Sequence, residues 1–171
     1  TTFDQTATEK TIEALQELMD QGAESVIFDL RDNPGGFLNQ SISVADLFLP
    51  ESVVLFERNN SGLDQVFSAD DGDLGETLPL VVLVNGGSAS ASEIVAGAIK
   101  DNGRAVIIGD VTFGKGSVQQ VYQLSDGSEM RVTIARWYTP SNSTIDDEGI
   151  APDILVEMEF DAEEDIQLLR G

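Results

Sequence analysis

Histidine and cysteine are both absent from this 171-residue sequence. Without cysteine there is no disulfide, no thiol nucleophile and no thiolate metal site. Without histidine there is no imidazole zinc ligand and no Ser-His-Asp triad. Basic residues are scarce: 9 lysines and arginines face 31 acids, for a formal net charge of −22. Such a surface repels phosphate backbones and anionic membranes, so neither nucleic acid nor a lipid surface is an expected partner. No apolar run reaches the roughly 18 residues that a membrane span needs. Among metals, only calcium or magnesium held by carboxylates stays open on composition, and no motif calls for a metal or a cofactor. Thr1 does not open a signal peptide, and the pattern starts in mid-course, as expected of a piece cut from a longer precursor.

What remains is ample for a folded core. Apolar residues make up 41%, and 16 glycines against 5 prolines point to many tight turns. The length fits a single domain over residues 1–171. Thr6 and Glu9 have capping-box spacing, and Ile12, Leu15, Leu18 and Met19 follow at helical intervals until Gly22. Ser25–Leu30 reads as a strand, RDNPGG (Arg31–Gly36) as a turn, and Leu38–Phe48 as a helix stopped by Pro50. Val53–Arg58 and Gln65–Ser68 read as strands, and Asp70–Thr77 as an acidic surface loop. Leu78–Val84 (LPLVVLV) is apolar almost throughout, as expected of a strand covered on both faces. Asn85-Gly86-Gly87 turns it into a helix from about Ser90 to Lys100, and Ala105–Gly109 is the next buried strand. The pattern predicts a βαβ unit with a parallel crossover. Val118–Leu124 and Met130–Tyr138 form a hairpin, Ile154–Met158 is a last strand, and the acidic end carries a short helix. The fold class is α/β.

Two stretches carry the chemistry that the composition still allows. In GGSASASEIVAG, residues 86–97, Ser88, Ser90 and Ser92 stand at alternate positions where a buried strand turns into a helix. Free N–H groups and a partial positive charge gather at a helix start. A serine there has an oxyanion site beside it, with the Ala91 N–H as the natural donor if Ser90 attacks. The logic is that of a nucleophile elbow, although GxSxG is absent. Ser90 and Glu93 also have capping-box spacing, so on spacing alone a plain cap is the readier explanation of Ser90, and spacing does not choose among the three serines. The second stretch is VTFGKGSVQQ, residues 111–120. Of three lysines, Lys10 and Lys100 fall on predicted helices, whereas Lys115 is held between Gly114 and Gly116 in an otherwise uncharged run. GxxxxGK[ST] is not present, which argues against a phosphate loop; a solvated turn lysine is the bland alternative. Without histidine, lysine is the base available to a serine. An amine ordinarily holds its proton to about pH 10.4, so base chemistry near neutrality asks the site for about 4 kcal/mol. Apolar packing supplies this and nearby carboxylates oppose it. Gln119 is a neutral group suited to orienting such an amine, provided the chain bends at Gly116 and Ser117.

Taken together, these segments resemble the carboxyl-terminal processing, or tail-specific, serine proteases. DLRDNPGGFL (Asp29–Leu38), VNGGSASASEIVAGAIKDNGRAVIIG (Val84–Gly109), TFGKGSVQ (Thr112–Gln119) and TPSNSTIDDEGIAPDILV (Thr139–Val156) resemble four of that family's blocks, in its order. The resemblance implies a Clp protease/crotonase-like core with βαβ units and a β-hairpin extension. It implies Ser90 as nucleophile, Lys115 as general base and Gln119 orienting the lysine. It also implies an oxyanion hole from the Ala91 N–H and a glycine N–H of the NPGG turn, Gly35 or Gly36, and it leaves Asp101 a supporting role. The expected activity is endopeptidase cleavage of polypeptides near their carboxyl termini through an acyl-enzyme, in an extracytoplasmic setting such as a bacterial periplasm or cell envelope. Relatives carry an N-terminal segment and a PDZ domain ahead of this region, and neither is in this sequence. The alternatives are a polypeptide- or ligand-binding module of the same fold that does not cut, and a core that is latent without its PDZ domain.

Overall fold

A computed structural model describes residues 2–62, 64–157 and 164–171. Three α-helices, α1 (Ala7–Asp20), α2 (Leu38–Asp46) and α3 (Ala91–Asp101), alternate with β1 (Val26–Asp29), β2 (Ser52–Asn59), β3 (Asp64–Ala69), β4 (Leu80–Val84), β5 (Val106–Gly109), β6 (Ser117–Gln123), β7 (Glu129–Tyr138) and β8 (Ile154–Leu155). A short 3-10 turn covers Leu168–Arg170. The strands make two four-stranded sheets, ordered β1-β4-β5-β8 and β3-β2-β7-β6.

The first sheet is parallel throughout, with Val26 opposite Leu80, Val81 opposite Val106 and Ile108 opposite Ile154. β4 lies inside it, and Val82, Leu83 and Val84 are fully buried, which explains its near-continuous apolar run. β4, α3 and β5 form the expected βαβ unit. The second sheet is antiparallel. The predicted hairpin is therefore half of a second sheet, completed by β2 and β3. A strand pair presents two edges, and β2 takes one of them through Phe56 opposite Tyr138.

α3 packs on β5 of one sheet, on β2 of the other and on α2. Every residue from Ala91 to Ile99 is buried. Ile94, Val95 and Ile99 are each worth roughly 1.5–3 kcal/mol of burial. That rigid seat sets the position of the residues just before the helix. At α1 the structure differs from the capping-box expectation. The Thr6 side chain makes no cap bond; its N–H and hydroxyl both turn back to Asp4 Oδ1, at 2.8 and 2.6 Å. A carboxylate two residues upstream outcompetes the distant Glu9, which is exposed. The last strand is also shorter than expected, and Met158 lies outside the described residues.

Candidate active site

Two turns, residues 31–36 after β1 and residues 85–90 after β4, meet at the carboxyl edge of the parallel sheet. A ligand site is expected there in an open α/β sheet. Their contact is a set of short polar bonds. Asn85 Oδ1 accepts from the Asp32 and Gly87 N–H groups, both at 2.9 Å, and Asn85 Nδ2 donates to Asp32 Oδ1 at 3.1 Å. The Asn33 carbonyl accepts from the Ala89 N–H at 3.0 Å and from the Ser92 hydroxyl at 2.9 Å. Ser88 Oγ donates to the Leu30 carbonyl at 2.7 Å and accepts from the Asn85 N–H at 3.0 Å.

These bonds separate the three serines. Ser88 and Ser92 are wholly buried, and their hydroxyls tie one turn to the other. Ser90 is 8% exposed. It sits at the N-cap of α3 with φ 56° and ψ −114°, a conformation that L-residues avoid and that recurs where a side chain is presented for function. Ser90 and Glu93 form the capping box that their spacing predicts: Glu93 Oε2 accepts from the Ser90 N–H at 2.7 Å, and the Ser90 side chain faces the Glu93 N–H, which also bonds the Ser90 carbonyl at 2.9 Å.

The N–H groups of Gly35, Gly36 and Ala91 are unequally committed. The Gly35 N–H donates to Asn33 Oδ1 at 3.0 Å. The Ala91 and Gly36 N–H groups donate to nothing among the described residues. Gly35 packs directly beneath Ser90: with φ +94°, an added Cβ would fall 2.6 Å from the Ala89 carbonyl, 2.8 Å from the Ala91 nitrogen and 2.8 Å from Ser90 Cβ. Gly35→Ala should therefore lose about 2–3 kcal/mol of stability through strain and overlap. A lowered denaturant midpoint at unchanged slope checks this.

Glu93 joins this turn to the lysine loop. Its side chain is fully buried, and both oxygens accept two bonds. Oε2 takes the Ser90 and Lys115 N–H groups at 2.7 and 2.8 Å; Oε1 takes the Thr112 hydroxyl and the Gly114 N–H, both at 2.6 Å. One carboxylate oxygen thus spans the backbones of Ser90 and Lys115. The Phe113 N–H adds a bond to the Ser88 carbonyl at 3.0 Å. Gly116 lets this loop lie flat against Asp146, whose backbone a Cβ would overlap, and Gly114 takes φ +88° close beside Asp147.

The side chains of the lysine loop are not drawn together as the backbones are. Lys115 and Gln119 are both exposed, and no hydrogen bond links Lys115 to Ser90 Oγ or to Gln119. The apolar packing expected around a basic amine is not formed by the described residues. The bend between Lys115 and Gln119 is a register shift at Val118/Gln119, two residues later than expected. Asp101 Oδ2 accepts from the Ser141 N–H at 2.9 Å, a supporting contact at the far end of α3.

Sequence reasoning saw Glu93 only as half of a cap; its other partners lie 19 to 22 residues away, and no local signal announces them. It missed the anchor behind the first turn entirely. Arg31 is clamped by Asp29, with Nη2 at 2.6 Å, and by Asp165, with Nη1 at 2.8 Å. Bonds to Asp29, then to Asp165, push the guanidinium further above its already high range. Arg31 in turn holds the Asp165 carboxyl below the usual carboxylate range. Asp165 is 134 residues from Arg31, beyond any spacing rule.

Known proteins share this sequence pattern and fold. The pattern of peptidase family S41 matches residues 1–156. A carboxyl-terminal-processing protease of Synechocystis is 47% identical over 155 residues, 91% of this chain and 36% of the relative. A chloroplastic carboxyl-terminal-processing peptidase 2 of Arabidopsis thaliana is 40% identical over 166 residues, 96% of this chain and 32% of the relative. The solved structure of a photosystem II D1 C-terminal processing protease superposes with a TM-score of 0.86 at 38% identity, over 99% of this chain and 44% of that one. The tricorn protease, at 16% identity and a TM-score of 0.51, shares the fold. The chain spans about a third of the length of these curated relatives.

Proposed function

The chain belongs to peptidase family S41, and from that premise we propose that it is the core of a serine endopeptidase that cuts polypeptides near their carboxyl ends. Ser90 Oγ attacks the carbonyl carbon while the neutral Lys115 amine takes its proton. The oxyanion forms between the N–H groups of Ala91 and Gly36. Gly36 is preferred to Gly35 as the second donor because the Gly35 N–H is held by Asn33. The lysine ammonium then protonates the leaving amine, and water, deprotonated by the same amine, hydrolyses the ester. Gln119 orients Lys115 once the loop has closed on it. The observation that carries this reading is the N-cap of α3: a strained serine, an uncommitted N–H beside it, and a buried carboxylate joining its backbone to that of the only lysine nearby.

The exposed Lys115 favours a second reading of the same chemistry, in which the chain alone is latent. Its site closes when further polypeptide covers the lysine and the neighbouring Phe113, which is 67% exposed. The substrate is a polypeptide and the setting extracytoplasmic, in keeping with relatives named as bacterial and chloroplastic processing enzymes. No helix among the described residues is long and apolar enough to cross a membrane. A serine-directed acylating probe tests the proposal. Intact-protein and peptide mass spectrometry should find a single adduct on Ser90, faster when any sequence flanking the chain in its gene is included. Labelling at another residue, or none with flanking sequence present, would overturn it.

A further inference from the structure

The tail of the chain bridges the carboxyl edge of the parallel sheet. Arg31 follows β1 and Val156 follows β8, the two outermost strands. The buried Gln167 ties them together. Its Oε1 accepts from Arg31 Nη1 at 3.2 Å, and its Nε2 donates to the Val156 carbonyl at 2.5 Å. Asp165 meets the same guanidinium as a fork, with Nη1–Oδ1 and Nη2–Oδ2 both 2.8 Å. Asp29 takes Nε at 2.9 Å and Nη2 at 2.6 Å. An arginine has five N–H donors. Here all are spent, most of them on the tail. Asp165 Oδ1 also accepts from the Leu168 N–H at 2.9 Å, so the tail is itself folded around the carboxylate that grips Arg31.

Arg31 opens the turn that ends in Gly36, whose N–H donates to nothing among the described residues. The next residue, Asp32, has φ 54°, a left-handed backbone that only glycine enters freely. Such a conformation persists where its flanks are pinned. On one side the Asp32 N–H is held by Asn85 Oδ1 at 2.9 Å. On the other stands Arg31. Asp29 lies two residues before Arg31 and moves with it, so the anchor that comes from elsewhere is the tail, 134 and 136 residues away. We propose that Asp165 and Gln167 are positioning residues, which grip Arg31 and so strap the turn that aims the Gly36 N–H at the oxyanion. The inference rests on the endopeptidase reading, in which the Gly36 and Ala91 N–H groups share that oxyanion. Neither tail residue touches the reacting atoms; both act through Arg31. A fork of paired polar bonds suits this task, because it fixes one geometry where apolar contacts would let the segments slide.

Amide hydrogen exchange on the full chain, labelled with nitrogen-15, tests the strap without catalysis. The Gly35 and Ala89 N–H groups, which donate to Asn33, report the turn; those of Leu49 and Trp137 report the remainder of the fold. Asp165→Asn should speed exchange at Gly35 and Ala89 by at least about tenfold, with Leu49 and Trp137 within about twofold. Arg31→Lys, whose amine cannot grip Asp29, Asp165 and Gln167 together, should give the same pattern. The two combined should be no faster than Arg31→Lys alone. Leu169→Ala, an exposed change in the same tail, should alter nothing. In polypeptide hydrolysis with any flanking sequence present, Asp165→Asn should lower kcat at least about tenfold with KM within about twofold, because the oxyanion forms only beyond the ground state. Turn exchange that is unchanged, or that rises equally at Leu49 and Trp137, would overturn the strap. Additive effects would overturn the route through Arg31, and a loosened turn with kcat intact would overturn the positioning role. Failure of the endopeptidase reading would show instead as a parent protein that cuts nothing, with the exchange result unaffected.

Discussion

Replacing Ser90 or Lys115 by alanine should each lower peptide-bond turnover by at least about 10³-fold, with the double variant no slower than the singles. The non-additivity is the informative part. A nucleophile without its base and a base without its nucleophile are both idle, so the second loss finds nothing left to remove. Whatever rate remains comes from binding and from the N–H groups of Ala91 and Gly36, which neither substitution touches. Lys115→Arg should fail as fully as alanine, because a guanidinium stays protonated and cannot accept the serine proton. Folding should be nearly unaffected: the Lys115 side chain is exposed, and its contact with Glu93 runs through the backbone N–H. The measurement is steady-state hydrolysis of an unstructured polypeptide, with any flanking sequence present, beside thermal melting of each variant. Turnover of Lys115→Ala within about tenfold of the parent would remove the amine from the mechanism.

Much of the fold is written locally. The apolar run at Leu80–Val84 could only be an inner strand, and the helix after it begins and ends within one residue of expectation. The hairpin was legible from its two alternating runs, but not the sheet it joins, because β2 and β7 are separated by 69 residues between Asn59 and Glu129. The site was legible as residue types and not as an arrangement. Ser88, Ser90 and Ser92 are indistinguishable by spacing; what separates them is that two hydroxyls reach the carbonyl of Leu30, just after β1, and that of Asn33 in the turn beyond it. Lys115 was conspicuous through the glycines beside it, yet those glycines serve its backbone, pressing the loop onto Asp146 and Asp147. The amine itself stands exposed, bonded to neither Ser90 Oγ nor Gln119, and no local pattern encodes that placement. Glu93 was the reverse case, with a cap signal so ordinary that it concealed three further partners.

Removing that carboxylate should do more damage to the fold than any other single change at the site. Glu93→Ala strands four donors: the buried N–H groups of Ser90 and Gly114, the buried Thr112 hydroxyl and the partly buried Lys115 N–H. Unsatisfied buried donors cost about 1–3 kcal/mol each, and partial relaxation brings the expected loss to about 3–5 kcal/mol. In a chain of this length that lowers the melting temperature by about 10 °C. Glutamine, the usual gentle replacement, should rescue little. All four bonds are accepted by the carboxylate, and either orientation of an amide sets its NH₂ against at least one fixed N–H. Thr112 cannot simply turn to help, since its hydroxyl already accepts from the Ile150 N–H at 2.7 Å. Activity should fall with stability but separably. At temperatures where Glu93→Gln remains folded, kcat should drop by about 10²-fold with KM little changed, because the bond that holds the Ser90 and Lys115 backbones to one oxygen is what aligns nucleophile with base. A Glu93→Gln variant that melts with the parent and turns over at the parent's rate would show that the two loops are aligned by something else.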